Sequence, residues 1–274
     1  MNTKNFIVPH DFTQVAENAL DHAIATAKPL NATIYVLHVV SKEKMIAKAE
    51  QQLEETLLIH KDCGVSLIPI VRIGSIYEDI GEFAAEHHAE LIFMGTHGAH
   101  GWQHVLGSHA LKVITSSSVP FVIVQEKGIK PTGYDDIVVP MDLHKETKQK
   151  LAIVANIATY FNSRVHVITP DESDEFLRHQ VQGNIYFANR FFSERGIEIT
   201  TTLAPSSGFD KEVVKLAVNL DADLIAIMNL NRPGFLGALG TNYEQYIITN
   251  DAKIPALVVN PIDLGSYGQS ILFS

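Results

Sequence analysis

The sequence predicts an α/β fold with parallel strands, built twice along one chain. Short, β-branched apolar runs such as residues 6–9 and 33–39 alternate with stretches whose apolar residues recur at helical spacing. The runs are nearly continuously apolar, as strands buried on both faces are. The landmarks of the first half then return in the same order in the second.

The elements follow in order. A first strand at 6–9 leads to a helix marked by Val15, Ala16, Ala19, Leu20, Ala23, Ile24 and Ala27. Strands at 33–39, 66–72, 90–94 and 121–124 complete the first half. Ile46, Leu53, Leu57 and Leu58 mark a second helix, and Ile80, Phe83 and Ala84 a third. Ala110, Leu111, Val113 and Ile114 mark a fourth. His87-His88 reads as an exposed helix end, and Cys63 as an incidental residue before Gly64. The second half repeats the first helix with Leu151, Val154, Ala155 and Ala158. It then carries a longer insert with Phe176, Leu177, Val181, Ile185, Ala188 and Phe192. Such alternation implies a parallel sheet with helices on both faces.

The repeat is visible residue by residue. Val8-Pro9 and Asp11 match Val139-Pro140 and Asp142. Ala89-Glu90-Leu91-Ile92 matches Ala222-Asp223-Leu224-Ile225. Gly107-Ser108 matches Gly240-Thr241, and Val119-Pro120 matches Ile254-Pro255. The period is too long for a solenoid and suits one ordinary domain. The expected organisation is domain 1–127, domain 134–262 and a tail 263–274, with Pro131 in the linker between the domains.

Composition narrows the classes. The chain has 274 residues, 46% hydrophobic and 19% charged, which suits two compact domains. No apolar stretch is long enough to span a membrane. The N-terminus runs straight into a strand, so no signal peptide and a cytoplasmic location are expected. The single cysteine rules out an intrachain disulfide and a cysteine-based metal cluster. Net charge is −10 without a long basic run, which argues against a nucleic-acid partner.

The chemistry concentrates in Gly95-Thr96-His97-Gly98, followed by Gly107-Ser108. An apolar strand, a glycine loop and a hydroxyl residue opening a helix is a way to hold phosphate. Glycines allow close backbone approach, and free N–H groups with the helix dipole favour an anion. No Lys follows the last glycine, so the loop is not a Walker A motif. The alternative is a strand-to-helix turn that needs glycine for its backbone alone. Asp11 lies just past a strand end, as the Gly95 loop does. Ligands in parallel folds sit at carboxyl ends of strands, so the two share a cleft if their strands are neighbours.

The duplicated Val-Pro-x-Asp start, Leu37-His38-Val39, Gly95-x-x-Gly98 with Gly107-Ser108, and the closing Val-Pro strand resemble the universal stress protein family. The resemblance covers nearly the whole chain as two tandem domains. It implies Rossmann-like, adenine-nucleotide-binding-like domains, each a five-stranded parallel sheet of order 3-2-1-4-5. It implies a role in stress response or signalling, and ATP or AMP as a ligand that some members bind and others do not, with no cofactor required here. The site it implies comprises Asp11 at the adenosine end, the Val39 backbone near the base, and Gly95, Thr96, His97, Gly98, Gly107 and Ser108 around phosphate. It also implies pairing through last strands, here within one chain as a pseudo-dimer over Phe121–Val124 and Ala256–Val259, or between chains as a homodimer.

Two departures matter. ATP-binding members place nine residues between the second and third glycines, and only Ala99 to Leu106 stand here. In the second half Met228 and Asn231 replace Gly95 and Gly98, which makes that motif degenerate. His97, His100, His104 and His109 crowd the loop, but no cysteine or nearby carboxylate completes a metal set. Ser206-Ser207-Gly208-Phe209-Asp210 reads as a turn and helix start. No histidine is placed between Asp11 and Ser108 as a base, so no catalytic residue is assigned and slow ATP hydrolysis is the upper limit of enzymatic activity. Two functions stay open: a nucleotide-responsive stress protein, or an interaction protein that keeps the fold without nucleotide.

Overall fold

The computed structural model describes residues 4–96, 113–115, 117–143, 145–230 and 243–261. The chain divides into two compact units, Met1–Ile129 and Lys130–Ser274.

The first unit contains β1 (Asn5–Pro9), β2 (Thr33–Val40), β3 (Ser66–Ile73), β4 (Ala89–Gly95) and β5 (Phe121–Val124). They pair in parallel in the order β3-β2-β1-β4-β5. Phe6, Ile7 and Val8 of the central strand are fully buried, as are Ile92, Phe93 and all of β5. Burial on both faces is why these strands read as unbroken apolar runs.

Helix α1 (Gln14–Ala27) starts at Thr13, whose side chain accepts from Ala16 N, and Glu17 lies in its first turn. It buries Val15, Ala16, Ala19, Leu20, Ala23, Ile24 and Ala27. His22 is also inside, with Nε2 3.2 Å from the Lys127 carbonyl. Burial pushes the His22 imidazole down to about 4, so it is neutral at pH 7. Helix α2 (Ile46–Leu58) buries only Ala49 and Leu53. Helix α3 (Ile76–Glu86) is capped by Ser75, carries Glu78 and Asp79 in its first turn, and buries Ile80, Phe83 and Ala84. Val113 and Ile114 are helical and buried, while Ala110 and Leu111 fall outside the described residues.

Two readings need correction. His87 is not simply an exposed end: its ring stacks on Phe83 at 3.9 Å, and Nδ1 donates to Phe83 O at 3.0 Å. His88 is the exposed one, in a left-handed turn at φ 49. The second half's long segment is not an insert either. Helix α5 (Glu175–Ser193) occupies the crossover that α2 fills in the first half, between the second and third strands. It is the same element, lengthened to 19 residues.

The second unit contains β6 (Asp136–Pro140), β7 (Arg164–Asp171), β8 (Ile199–Pro205), β9 (Leu224–Met228) and β10 (Ala256–Val259). Their parallel order is β8-β7-β6-β9-β10, again 3-2-1-4-5. Helix α4 (Leu151–Phe161) follows β6, α6 (Phe209–Asn219) follows β8, and α7 (Tyr243–Ile248) precedes β10. Gly208, at φ 68, caps α6, so the Ser206–Asp210 segment is a turn and helix start. The segment read as a linker folds onto this unit at its end. Lys130 Nζ lies 2.8 Å from Asp223 and 3.0 Å from Asp221. Gly133 stands at φ 91, where a Cβ would strike the Phe161 ring. Among the described residues no helix is long and apolar enough to cross a membrane.

Candidate functional site

In the first unit β1 lies between β2 and β4, so the carboxyl ends that carry Asp11, Val39 and Gly95 are neighbours. Strand β2 pairs with β1 as far as Leu37 opposite Pro9, and His10 N donates to Leu37 O at 2.8 Å. Backbone groups alternate sides along a strand, so the Val39 N–H and C=O face the β1 side beyond that last pair. Asp11 is half-buried at the β1–α1 turn. Its Oδ1 accepts from Thr13 N at 3.2 Å and from Thr13 Oγ1 at 2.6 Å.

Gly95 ends β4, and Thr96 follows it. A Cβ on Gly95 would sit 2.3 Å from the Val15 carbonyl oxygen and 2.7 Å from Ala16 N. The glycine is needed because the first turn of α1 lies against it, a packing demand that the sequence reading did not include. Thr96 is buried, and its N–H donates to Val124 O at 2.8 Å. That amide is therefore committed to β5 and is not a phosphate donor. His97, Gly98, Gly107 and Ser108 fall outside the described residues, as do His100, His104 and His109.

A second set of residues, not anticipated from sequence, surrounds Asp11. Phe12 adopts φ 65, rare for a residue with a side chain. Its N–H donates to His10 Nδ1 at 3.2 Å. Its ring lies 4.6 Å from the His38 ring and 5.6 Å from His10. His38 Nδ1 donates to His10 O at 2.7 Å, which ties β2 to the turn. Behind the turn, Glu17 faces two imidazoles, with His10 Nε2 at 3.4 Å and His60 Nε2 at 3.2 Å. The His10 imidazole beside it holds the Glu17 carboxyl below its usual range, against the opposing pull of burial. Pro9-His10-Asp11 and Leu37-His38-Val39 were visible as motifs. Isolated histidines at strand ends carry no periodicity from which to assign these contacts.

The second unit replaces this arrangement. Gly95 pairs with Val124 and Met228 with Val259, which confirms their equivalence by register. Thr96 N and Asn229 N donate to those same partners. Met228 is buried, so side-chain volume fills the place where α1 touches Gly95. The chain after β6 accordingly winds as a 3-10 turn, Lys145–Lys148, and the α-helix begins only at Leu151. Lys150 stands where Ala19 stands in the first unit, fully buried. Its ammonium donates to Pro140 O at 2.5 Å and Thr147 Oγ1 at 3.1 Å. Glu244, also buried, accepts from Leu230 N at 3.0 Å, and burial raises its pKa. A carboxylate of the protein thus takes the loop amide just past β9.

A parallel α/β domain with an acidic residue and a glycine at adjoining strand ends is the class that fold and site define. The model of the Universal stress protein family matches residues 2–125, and the first half of the chain belongs to that family. A universal stress protein of Methanocaldococcus jannaschii is 28% identical over 140 residues, covering 45% of this chain and 82% of the relative. Universal stress protein G of Escherichia coli O157:H7 is 27% identical over 142 residues, covering 44% and 99%. A crystal structure of a universal stress protein from Archaeoglobus fulgidus superposes with a TM-score of 0.73 at 16% identity, covering 94% of this chain and 97% of that one. The last likeness extends the shared fold to nearly the full length.

Proposed function

We propose that this chain is a nucleotide-responsive stress protein in which domain 1–127 takes an adenine nucleotide, ATP or AMP, and domain 134–262 does not. The observation that carries this reading is the contrast at one sheet position. Gly95 lets the first turn of α1, just after Asp11, pack directly on the end of β4, while its counterpart is the buried Met228 and the helix after β6 begins only at Leu151. Asp11 receives the ribose end, the Val39 backbone faces the base, and the loop from His97 through Gly98 to Gly107-Ser108 wraps the phosphates. At the matching strand ends of the second unit the buried Lys150 and Glu244 engage the protein's own backbone, at Pro140 O and Leu230 N.

Binding is weak. Phosphate capture by backbone amides requires several N–H groups to converge, and the loop is one residue short. Loss of one charge-assisted hydrogen bond costs about 1.5–3 kcal/mol, or at least about tenfold in affinity. Inserting one glycine after Gly101 is expected to tighten ATP binding by about that factor in calorimetry. Gly98→Val, which puts a branched side chain into the turn, is expected to abolish it. Unchanged affinity in both variants, with the fold intact by circular dichroism, would place the ligand elsewhere. The second reading, an interaction protein without nucleotide, is favoured by the short loop and the degenerate second motif. Absence of any ATP binding, even with the inserted residue, would establish it.

A further inference from the structure

The turn that presents Asp11 is built from an unusual set of bonds. Phe12 N can only donate, so His10 Nδ1, 3.2 Å away, must be the accepting, unprotonated nitrogen. The neutral ring then carries its proton on Nε2. That atom is completely buried, and no hydrogen bond of ideal geometry satisfies it. The carboxylate it faces is Glu17, at 3.4 Å, on the first turn of α1. Glu17 Oε2 is held from the other side by His60, beyond α2. His10 also ties the turn to β2, since His38 donates to its carbonyl. The left-handed Phe12 is strained backbone that persists only if its surroundings fix it. These contacts all converge on the residue next to Asp11.

We infer that Glu17 is a positioning residue. It fixes His10 as the Nε2–H tautomer, and His10 in turn holds the Phe12 turn that aims Asp11 at the nucleotide. The logic is that of outer-shell partners, which orient a histidine by taking the proton of its far nitrogen. His60 keeps the Glu17 carboxylate in place. The inference rests on the nucleotide reading for its ligand, but the tautomer and the turn exist without one.

The test therefore has two readouts. Nitrogen-15 spectra of the histidine rings are expected to show His10 as the pure Nε2–H tautomer in the unmodified protein. In Glu17→Ala the two tautomers mix, and the Phe12 amide resonance moves as its acceptor is lost. Calorimetry with ATP is expected to give about tenfold weaker binding in Glu17→Ala. Glu17→Gln, whose carbonyl oxygen accepts the same proton, restores both tautomer and affinity. A merely structural role would lower stability in both variants without this rescue. Should Glu17→Ala fail to fold, the ring spectra of the unmodified protein and of Glu17→Gln still decide. An Nδ1–H tautomer of His10 in either, or an unchanged His10 tautomer in folded Glu17→Ala, overturns the inference. If the unmodified protein binds no ATP, the nucleotide reading fails. The ring spectra then judge the Glu17–His10–Phe12 relay alone.

Discussion

Gly95→Ala is expected to destabilise the first unit by about 3 kcal/mol, the upper end of ordinary overpacking. A single methyl would stand 2.3 Å from Val15 O, 2.5 Å from Val15 C and 2.7 Å from Ala16 N. These are backbone atoms of the first turn of α1, so no rotamer change relieves the clash. Either the helix start moves, displacing Thr13 and its bonds to Asp11, or β4 withdraws from its pairing with β5. The counterpart change, Met228→Gly, fails for the opposite reason. It empties a buried site that is already packed, and costs about 2–5 kcal/mol in lost contacts and cavity. Urea denaturation followed by circular dichroism measures both. An unperturbed Gly95→Ala variant would mean that α1 does not lie against the end of β4.

The second large effect is a pH dependence centred on Lys150. Burial pushes its ammonium down to about 8 from 10.5, with Asp142 opposing the shift only partly. Below pH 8 the folded and unfolded chains both hold the proton, and the cost of burying the charge is at its full, constant value. Between pH 8 and 10.5 the unfolded chain still binds a proton that the folded chain has released. Stability therefore rises with pH across that window, by about 3 kcal/mol for this group. Lys150→Met removes the dependence, at the expense of the bonds to Pro140 O and Thr147 Oγ1. The stability difference between wild type and Lys150→Met should shift in favour of wild type by about 3 kcal/mol from pH 7 to 10.5. Other titrating groups cancel in that difference. A flat difference would show that Lys150 is solvated or paired in the folded protein.

How much of this was legible in the sequence depends on how each feature is encoded. The strands were readable because burial on both faces leaves only apolar residues, as in 121–124 and 256–259. Helix α1 was readable from the spacing of Val15 through Ala27, and Leu151 correctly marks where α4 begins. The crossover helix α5 looked like an insert because its 19 residues exceed the 13 of α2, and its exposed Phe176 breaks the apolar pattern. The candidate site was legible only as strand-end positions. Asp11 and Gly95 could be placed near each other because parallel sheets gather ligands at carboxyl ends. What Gly95 avoids, the backbone at Val15 and Ala16, depends on a contact some eighty residues away in sequence that no local pattern encodes. The same holds for Glu17, which reaches His60 across the fold. The buried Lys150 was hidden for another reason: a lysine before an apolar helix ordinarily reads as a solvated start.

The central claim is an asymmetry, with the adenine nucleotide bound in the first half and excluded from the second. Titration calorimetry of ATP into wild type, Asp11→Ala and Asp142→Ala tests it most directly. Wild type is expected to bind a single ATP per chain, and Asp142→Ala to bind it unchanged. Asp11→Ala should lose at least about tenfold in affinity, the cost of one charged hydrogen bond. Two sites per chain, or loss of binding on changing Asp142 and not Asp11, would contradict the account.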